Sequence, residues 1–225
     1  MRGILITVEG TDCSGKKTQT EMLLNRLIND GYKVRKLSFP MYDTPTGKIV
    51  GGPYLGKQSI SNGYFEEGAS NVDAKVASLY FAADRYYNLS KVNDALEEND
   101  IVLLDRYVGS NMAHQGGKIK DLEERKKIYE WLDNLEYNSL KLPKPDLTIF
   151  LYMPYKYSSI LKLERTEIDE HESSEEHLLN AEKAYIEISN IYKYKTVNCV
   201  KEDNIRTKKD INDEVYNIIK SYINR

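Results

Sequence analysis

A short apolar run, a glycine-rich loop and a helical pattern follow one another at the start of this chain and constrain its fold more than any other feature. Ile4–Val8 is nearly all apolar and β-rich, which is typical of a strand buried on both faces of a parallel sheet. Gly10 and Gly15 follow, and apolar residues then recur at helical spacing as far as Ile28. Asn29–Gly31 indicates the end of that helix. This order of elements predicts a parallel α/β fold.

The loop between strand and helix nearly fits the phosphate-binding pattern G-x-x-x-x-G-K-[ST], because it reads Gly10-Thr11-Asp12-Cys13-Ser14-Gly15-Lys16-Lys17-Thr18. The two glycines let the backbone curl so that successive N–H groups point at one anion, and the helix start adds the positive end of its dipole. Lys16 brings a point charge to the β- and γ-phosphates. A turn with an accidental lysine is the alternative, but the flanking strand and helix favour an ATP site at residues 10–18.

One position of the loop departs from the pattern. Lys17 stands where a serine or threonine would hold Mg²⁺, and Thr18 comes one residue later. Nucleoside monophosphate kinases with a G-K-G-T-Q stretch lack that hydroxyl too, and Lys16–Gln19 resembles their sequence. We therefore expect the cofactor Mg²⁺ to be held largely through water and phosphate oxygens, with Asp105 contributing through water.

Further strands and helices alternate along the rest of the chain. Strands are predicted at Val34–Phe39, Ile101–Leu104, Leu147–Leu151 and Thr196–Val200, and helices at Asn71–Glu98 (as one long helix), Leu122–Leu140, Tyr155–Leu163, Glu175–Tyr192 and Asp210–Ile223. The pattern predicts the three-layer α/β fold of P-loop NTPases: a five-stranded parallel sheet, helices on both faces and a small lid at about residues 160–178. We expect residues 1–225 to form a single domain, with ligands at the carboxyl ends of the strands.

Composition excludes several classes of protein. The net charge is −3 and no basic stripe is present, so we expect no nucleic acid polymer as a partner. Cys13 and Cys199 are too few and too far apart for a disulfide framework or a zinc site. The first apolar run is too short to span a membrane or to form the core of a signal peptide. A cytoplasmic protein without a membrane partner is therefore expected.

Two residues at the end of a strongly apolar strand are candidates for the acceptor half of the site. Asp105 could take part in a hydrated Mg²⁺ shell or polarise an acceptor phosphate, and Arg106 could hold a phosphate in bidentate fashion. A strand-end ion pair that caps a neighbouring helix is the structural alternative, and the two residues alone do not decide between these readings.

Aromatic residues mark candidate walls for a base. Phe81 and Arg85 are four residues apart, so on a helix the ring could stack on a base while the cation meets its phosphate. A core phenylalanine beside a surface arginine is the plainer alternative. Phe39 and Pro40, just past the second strand, could line a base pocket or simply plug the sheet edge.

These and other marks occur in one order along the chain: Glu9-Gly10-Thr11-Asp12, Gly15-Lys16, Thr18-Gln19, Phe39-Pro40, Phe81 with Arg85, Asp105-Arg106-Tyr107 with Ser110 and Gln115, and Leu142-Pro143-Lys144-Pro145-Asp146. In this order they resemble the thymidylate kinase family over nearly the whole chain. The resemblance implies transfer of the γ-phosphate of ATP to dTMP, giving dTDP and ADP. It also implies a homodimer packed through helices.

The resemblance further implies roles for individual residues. In that family the carboxylate matching Asp12 binds the 3′-hydroxyl of dTMP, and the ring matching Phe81 stacks on thymine. The arginine matching Arg85 contacts thymine and helps to place the phosphate, which the arginine matching Arg106 binds. The carboxylate matching Asp105 acts at the metal and the acceptor.

The remaining substrate-binding residues follow in the same way. Ser110 and Gln115 match positions that line the thymine pocket, beside the wall formed by Phe39 and Pro40. Tyr185 resembles an aromatic residue that closes the sugar side and helps to exclude a 2′-hydroxyl. The implied catalytic residues are Lys16, Asp105, Arg106 and a lid cation.

The lid cation is predicted to be Arg165, the only arginine or lysine between Glu164 and Glu176. Some family members carry an arginine inside the phosphate-binding loop instead, where this chain has Cys13. A solvated residue paired with Glu164 or Glu167 is the alternative for Arg165. The lid is also unusually acidic, and Ser173 with Glu176 predicts a capping box that starts a helix.

Two further departures concern the segment after the second strand. Some members carry an arginine two residues past the proline, aimed at the dTMP phosphate, where this chain has Tyr42. Phosphate binding is therefore expected to depend more on Arg85 and Arg106. Residues 47–71 carry few recognisable marks and could be an insertion.

Three other functions remain open from the sequence. A deoxynucleoside kinase would need a carboxylate base just after an early strand, where this chain has Phe39 and Pro40. Kinases of other nucleoside monophosphates lack the combination of Asp12 with Asp105 and Arg106. A non-catalytic nucleotide-binding regulator would account for Lys17 and the acidic lid.

Overall fold

Five parallel strands form the central sheet in the computed structural model, which describes residues 2–162 and 169–224. The strands are β1 (Ile4–Gly10), β2 (Val34–Ser38), β3 (Ile101–Asp105), β4 (Leu147–Tyr152) and β5 (Lys195–Asn198). They lie in the order β2-β3-β1-β4-β5, and every neighbouring pair is parallel. The predicted five-stranded sheet is confirmed. A small antiparallel hairpin that was not predicted follows β5, formed by β6 (Val200–Lys201) and β7 (Asn204–Ile205).

Ten α-helices lie within the described residues: α1 (Lys16–Asn29), α2 (Pro45–Ile49), α3 (Ala74–Tyr87), α4 (Leu89–Glu98), α5 (Val108–Gly116), α6 (Leu122–Asp133), α7 (Tyr155–Lys162), α8 (Glu170–Ser173), α9 (Glu175–Ile191) and α10 (Lys208–Ile223). Two short π-helical segments, Val50–Tyr54 and Asn134–Ser139, continue α2 and α6. None of the described helices is both long and apolar enough to cross a membrane.

The prediction of one long helix over Asn71–Glu98 is wrong, because the chain forms α3 and α4 with a break at Asn88. The side chain of this buried residue donates to the backbone oxygen of Asp84 at 2.9 Å and to its carboxylate at 3.1 Å. Asparagine side chains compete in this way with helical backbone bonds, so the helix ends here. The same amide also donates to the Thr44 hydroxyl at 3.3 Å, a contact that only the tertiary fold provides and that gives no periodic signal.

Helix α5 was not predicted, because its glycines weaken the helical pattern. Packing explains the glycine at position 109, because a Cβ atom there would lie only 2.9 Å from the carboxylate of Glu9. The expected capping box also lies elsewhere. Asp169 and Glu172 form one at α8, and Ser174 caps α9 by accepting from the backbone N–H of His177.

Alternate residues of each central strand face two separate hydrophobic layers. Leu5, Val102 and Phe150 pack with α4, α5, α6 and α9, whereas Ile6 and Leu103 pack with α1 and α10 on the other face. All five of these side chains are at most 1% exposed. Burying an aliphatic or phenylalanine side chain contributes about 1.5–3 kcal/mol, so the two layers hold the strand ends firmly in register.

Residues 47–71 form a folded cover over one end of the sheet rather than an open loop. The π-helical segment Val50–Tyr54 buries Tyr54, whose ring packs edge-on against Phe81 at a centroid distance of 5.5 Å. Helix α8 docks on this cover, because the backbone N–H of Glu170 donates to Leu55 O at 3.1 Å. The Glu170 carboxylate in turn accepts from the Ala69 N–H at 2.6 Å.

Candidate active site

A cavity of about 580 Å³ lies where the central strands reach their carboxyl ends. It is bordered by the phosphate-binding loop, by the residues after β2 and β3, and by the cover that residues 47–71 form. Most of the predicted site residues line it: Asp12, Cys13, Gly15, Lys16, Lys17, Thr18, Phe39, Pro40, Phe81, Arg85, Asp105, Arg106, Ser110 and Gln115. The side of the sheet expected from the strand order thus carries the site.

The phosphate-binding loop has the conformation that its glycines predict. Gly15 adopts a left-handed φ of 81° just before α1, and a Cβ atom on Gly10 would lie 2.7 Å from Leu151 O. The Thr11 hydroxyl donates to Met153 O at 2.7 Å and accepts from the Met153 N–H at 3.0 Å. Gly10, Thr11 and Ser14 shape the loop without lining the cavity, so any contact of these three with phosphate would come from backbone N–H groups.

Lys16 is folded back on its own loop. Its ammonium group donates to Gly10 O at 2.9 Å and to Thr11 O at 2.8 Å. Burial, with repulsion from Arg106, lowers the pKa of Lys16 to about 8, although Asp12 attracts the charge. An anion bound in the loop would favour the charged form of Lys16.

Arg106 joins the donor and acceptor sides of the cavity. It has a left-handed φ of 66°, and its guanidinium donates to Asp12 Oδ1 at 2.8 Å. Burial alone would raise the pKa of Asp12, but attraction by Arg106 and Lys16 holds it well below its ordinary value. Asp12 is therefore a carboxylate at every physiological pH, and it pre-orients the arginine.

The buried carboxylate of Glu9 holds the residues that follow Arg106 in place. Glu9 accepts from the Tyr107 N–H at 2.8 Å and from the Ser110 hydroxyl at 2.6 Å, and its burial raises its pKa. The Ser110 hydroxyl lies 2.9 Å from that of Tyr185, whose ring stacks on Phe150. Tyr185 thus lies behind the wall of the cavity and does not line it. The sequence marked Glu9 only as part of a motif.

Arg85 is almost fully buried and forms a bidentate ion pair with Glu136. Glu136 lies in the π-helical segment that continues α6, and it also accepts from the Asn111 amide at 3.0 Å. The sequence missed Glu136 as the partner, since it lies 51 positions from Arg85 along the chain. Arg85 still lines the cavity, with its charge balanced by this carboxylate.

The apolar rings of Phe39 and Phe81 line the cavity, and Gln115 lines it as well. Gln115 is fully buried, yet neither atom of its amide has a hydrogen-bond partner among the described residues. An unpaired buried amide costs free energy, so this side chain is suited to bind a polar ligand edge. Asp84 fixes the adjoining segment, because its carboxylate accepts from the Met41 N–H at 2.9 Å.

The structure describes only part of the predicted acidic lid, because residues 163–168, including Arg165, lie outside the described residues. Asp169 and Glu172 line the cavity instead of facing bulk solvent. Burial, with repulsion from Glu172, raises the pKa of Asp169 to about 6. Lys57 of the cover lies 3.7 Å from Asp169 and also lines the cavity, although nothing in the sequence singled it out.

Comparisons with known proteins agree with this arrangement. The family model described as thymidylate kinase matches residues 8–211. The chain is 32% identical over 198 residues to a probable thymidylate kinase of Pyrococcus abyssi, with 86% of each chain covered. It is 30% identical over 217 residues to a thymidylate kinase of an Exiguobacterium species, covering 96% of this chain and 93% of the relative. The solved structure of thymidylate kinase from Candida albicans superposes with a TM-score of 0.74 at 25% identity, covering 99% of this chain and 93% of that one.

Proposed function

We infer that this chain, which belongs to the thymidylate kinase family, transfers the γ-phosphate of ATP to dTMP and releases dTDP and ADP. One observation carries the inference beyond family membership. A single cavity brings Lys16 of the phosphate-binding loop together with Asp105 and Arg106 at the end of the neighbouring strand. This is the arrangement that a transfer between two phosphates requires, because donor and acceptor must meet in line.

The donor half is supported by the loop geometry. Backbone N–H groups of residues 10–18 and the start of α1 are proposed to bind the phosphates of ATP. Lys16 then exchanges its two backbone carbonyl partners for phosphate oxygens. The charge that develops on the transferring group is offset by groups already in place, so little reorganisation is needed.

The acceptor half is proposed to bind dTMP between Arg106 and the aromatic wall. Arg106 holds the 5′-phosphate, with Arg85 beside it, and Asp12 binds the 3′-hydroxyl of the sugar. The phosphate is already ionised at neutral pH, so the reaction needs positioning and charge neutralisation rather than a strong general base. Tyr185 acts through Ser110 and Arg106, because its hydroxyl lies 3.4 Å from the guanidinium and its ring is outside the cavity.

The base is proposed to lie beside the apolar rings of Phe39 and Phe81 in the cavity. Phe81 offers a half-buried ring for stacking, and Phe39 with Pro40 forms a wall. The unpaired amide of Gln115 offers one donor and one acceptor group to the edge of thymine. Ser110 is engaged with Glu9, so its contribution is to shape the pocket.

Mg²⁺ is the proposed cofactor. Asp105 fits this ion, because its half-buried carboxylate at the carboxyl end of β3 offers the hard oxygen ligand that Mg²⁺ prefers. Asp105 and Thr18 line the same cavity. Lys17 cannot replace the missing hydroxyl, so Asp105 would act through water. When bound, the ion neutralises charge on the transferring phosphate oxygens.

The proposed lid spans residues 160–178, within a single domain over residues 1–225. Arg165 is its proposed cation and would reach the transferring phosphate when the lid closes and excludes water. The docking of Glu170 on the cover supports a lid that contacts residues 47–71. Asp169 and Glu172 face the cavity, so a cation from this segment would also offset their charge.

A homodimer packed through helices is proposed as the functional state. One face of α3 leaves Val76, Leu79, Tyr86 and Tyr87 between 43% and 56% exposed. An apolar face of this kind is typical of a protein interface. A cytoplasmic location is proposed as well, because both cysteines are present as thiols, as is usual in a reducing compartment.

The purified protein should be mixed with ATP, Mg²⁺ and, in turn, dTMP, dUMP, other nucleoside monophosphates and thymidine, while ADP release is followed. We expect rapid turnover with dTMP, slower turnover with dUMP and none with thymidine. Turnover with thymidine would instead identify a nucleoside kinase. ATP binding without turnover of any acceptor would identify a non-catalytic regulator.

A further inference from the structure

The three histidines of the chain lie in one cluster, although they come from separate elements. His114 lies on α5, His171 on α8 and His177 on α9. One potential metal-binding atom from each ring lies within 4.8 Å of the other two. The rings of His171 and His177 are stacked with centroids 4.2 Å apart, and His114 lies 5.3 Å from His177. Folding has therefore brought all the imidazole groups of the protein to one point.

The cluster is largely shielded from bulk water. His171 and His177 are each 5% exposed, and His114 is half-buried. Neutral imidazole nitrogens are the commonest protein ligands of transition metals, so a buried group of three is suited to one ion.

Hydrogen bonds orient the rings. The Tyr54 hydroxyl donates to Ala69 O at 3.0 Å and accepts from Lys118 at 3.2 Å. It also lies 2.9 Å from His171 Nε2, and this contact holds the orientation of the ring. A hydroxyl that fixes a ligand ring in this way is a common outer partner in metal sites.

The other two rings share one proton. Arg106 can only donate, and it lies 3.5 Å from His114 Nε2, so His114 carries its proton on Nδ1. That nitrogen lies 3.1 Å from His177 Nε2. A metal ion bound to His114 Nδ1 and His177 Nε2 would take the place of this shared proton. The proton would move to His114 Nε2, and Arg106 would turn away from that nitrogen.

We propose that His114, His171 and His177 form a binding site for a divalent transition metal ion of the zinc class. Three imidazoles leave a fourth position, and His114 and His171 line the active-site cavity, so this position opens toward it. Zn–N bonds of about 2.1 Å place tetrahedral ligand nitrogens about 3.4 Å apart. The rings must therefore turn out of their stack and draw together by no more than about 1–2 Å.

The surrounding charges set the identity of the fourth ligand. Lys118 and Arg106 oppose a cation, whereas Asp12 attracts it. An anionic fourth ligand, hydroxide or a phosphate oxygen, would balance the site. Imidazole ligands favour zinc, cobalt, nickel and copper over magnesium, so the site is distinct from the proposed Mg²⁺ position at Asp105.

Bound metal would tie the lid side of the cavity to α5. His171 lies on α8, which docks on the cover, and α9 follows it directly. An ion shared with His114 would hold α8 over the substrates and oppose the opening that releases product. This consequence rests on the proposed function, whereas metal binding itself does not.

The full chain should be titrated with Co²⁺ in the presence of excess Mg²⁺, while visible absorption is recorded. We expect the intense bands of four-coordinate cobalt, saturation at one ion per chain and loss of the bands when Zn²⁺ is added. Cobalt bound only in the weak, six-coordinate form, or not bound at all, would overturn the proposal.

Variants identify the ligands. His114→Asn, His171→Asn and His177→Asn should each weaken Co²⁺ binding by at least about 100-fold, because even outer partners contribute 10–100-fold. Tyr54→Phe keeps all three imidazoles and should weaken it about 10–100-fold, which keeps the test available if a histidine variant fails to fold. Cys13→Ser is the matched control, since this thiol also lines the cavity. Bands that survive in all three histidine variants, or vanish in Cys13→Ser, would show that the ligands lie elsewhere.

A second measurement tests the link to the lid. Zn²⁺ should lower kcat of the wild type, and a chelator should restore it. His177→Asn should be resistant, since His177 belongs to the cluster without lining the cavity. Equal inhibition of both proteins would contradict the role assigned to α8 and α9.

Discussion

At the residue scale, two side chains carry the charges that are proposed to bind phosphate. Arg106 is held in a left-handed backbone conformation and is pre-oriented by Asp12, so its guanidinium is in place before substrate arrives. Burial lowers the pKa of Lys16 to about 8, so its charge depends on pH. Arg106 thus contributes a fixed charge, whereas the charge of Lys16 changes with pH. The kinetics of an Arg106 variant and the pH dependence of ATP binding test the two roles.

Replacing Arg106 by alanine should lower kcat/KM for dTMP at least about tenfold, because a charge-assisted phosphate contact is lost. Arg125→Ala is the matched control: this arginine pairs with Glu187 at 2.7 Å, away from the cavity. Steady-state kinetics of both variants below their melting temperatures provides the comparison. Equal activity of Arg106→Ala and wild type would remove Arg106 from the mechanism.

ATP binding should be linked to a proton through Lys16. Since burial lowers its pKa to about 8, the free enzyme loses this proton as pH rises through 8, whereas bound phosphates favour the charged form. We expect ATP affinity to fall above pH 8, with uptake of up to one proton on binding. Titration calorimetry in buffers of different ionisation enthalpy measures that uptake. Lys16→Arg remains charged and should show none, so persistent uptake in this variant would assign the proton to another group.

At the scale of elements, the positions of the site residues depend on contacts between segments far apart in sequence. The π-helical segment Asn134–Ser139 brings Glu136 against Arg85, and α3 brings Asp84 against the segment after β2. Helix α8 is held by the cover through Glu170. Each of these contacts pairs a buried charge or backbone group, so removing one partner leaves the other unsatisfied.

Glu136→Ala should lower the free energy of unfolding by about 3–5 kcal/mol, because Arg85 would be left as an unpaired buried charge. Urea unfolding measures the change. Asp213→Ala is the control for a surface pair, since its partner Arg26 is one-third exposed, and its effect should be much smaller.

The same variant tests whether Arg85 faces the acceptor. If it does, the phosphate of dTMP would supply the missing negative charge, and saturating dTMP would raise the melting temperature of Glu136→Ala more than that of wild type. Thymidine, which has no phosphate, should not produce this difference. Equal shifts with dTMP in both proteins would place Arg85 outside the phosphate site.

At the scale of the whole molecule, the candidate site lies at the carboxyl ends of the central strands. A separate apolar face is exposed on α3. Leu79 and its neighbours on α3 are about half exposed, which a lone chain in water does not favour. Leu79→Asp should therefore convert the proposed dimer to a monomer, as measured by light scattering after size-exclusion chromatography. Ile28→Asp, on α1, exposes a similar area at 48% and should leave the dimer intact. A dimer that survives Leu79→Asp would place the interface on another face.

The sequence by itself determined the sheet and the phosphate-binding loop, because both are encoded in local patterns. Buried parallel strands are continuous apolar runs, and the loop needs glycines at a fixed spacing. The same reasoning located Asp105 and Arg106, since residues at strand ends meet at one edge of a parallel sheet. It placed the strand limits to within one or two residues, and it could not find α5, whose glycines serve packing rather than helix formation.

Only the tertiary structure decided which partners these residues have. The pair of Glu136 with Arg85 and the cluster of three histidines bring together segments that are distant along the chain. The unpaired amide of Gln115 is likewise a result of how the elements pack around it. Burial also set the protonation states, because the pKa of Lys16 depends on desolvation and on Arg106 opposite it. Local patterns specify backbone conformation and the type of side chain, whereas contact and dielectric environment arise only when the elements pack.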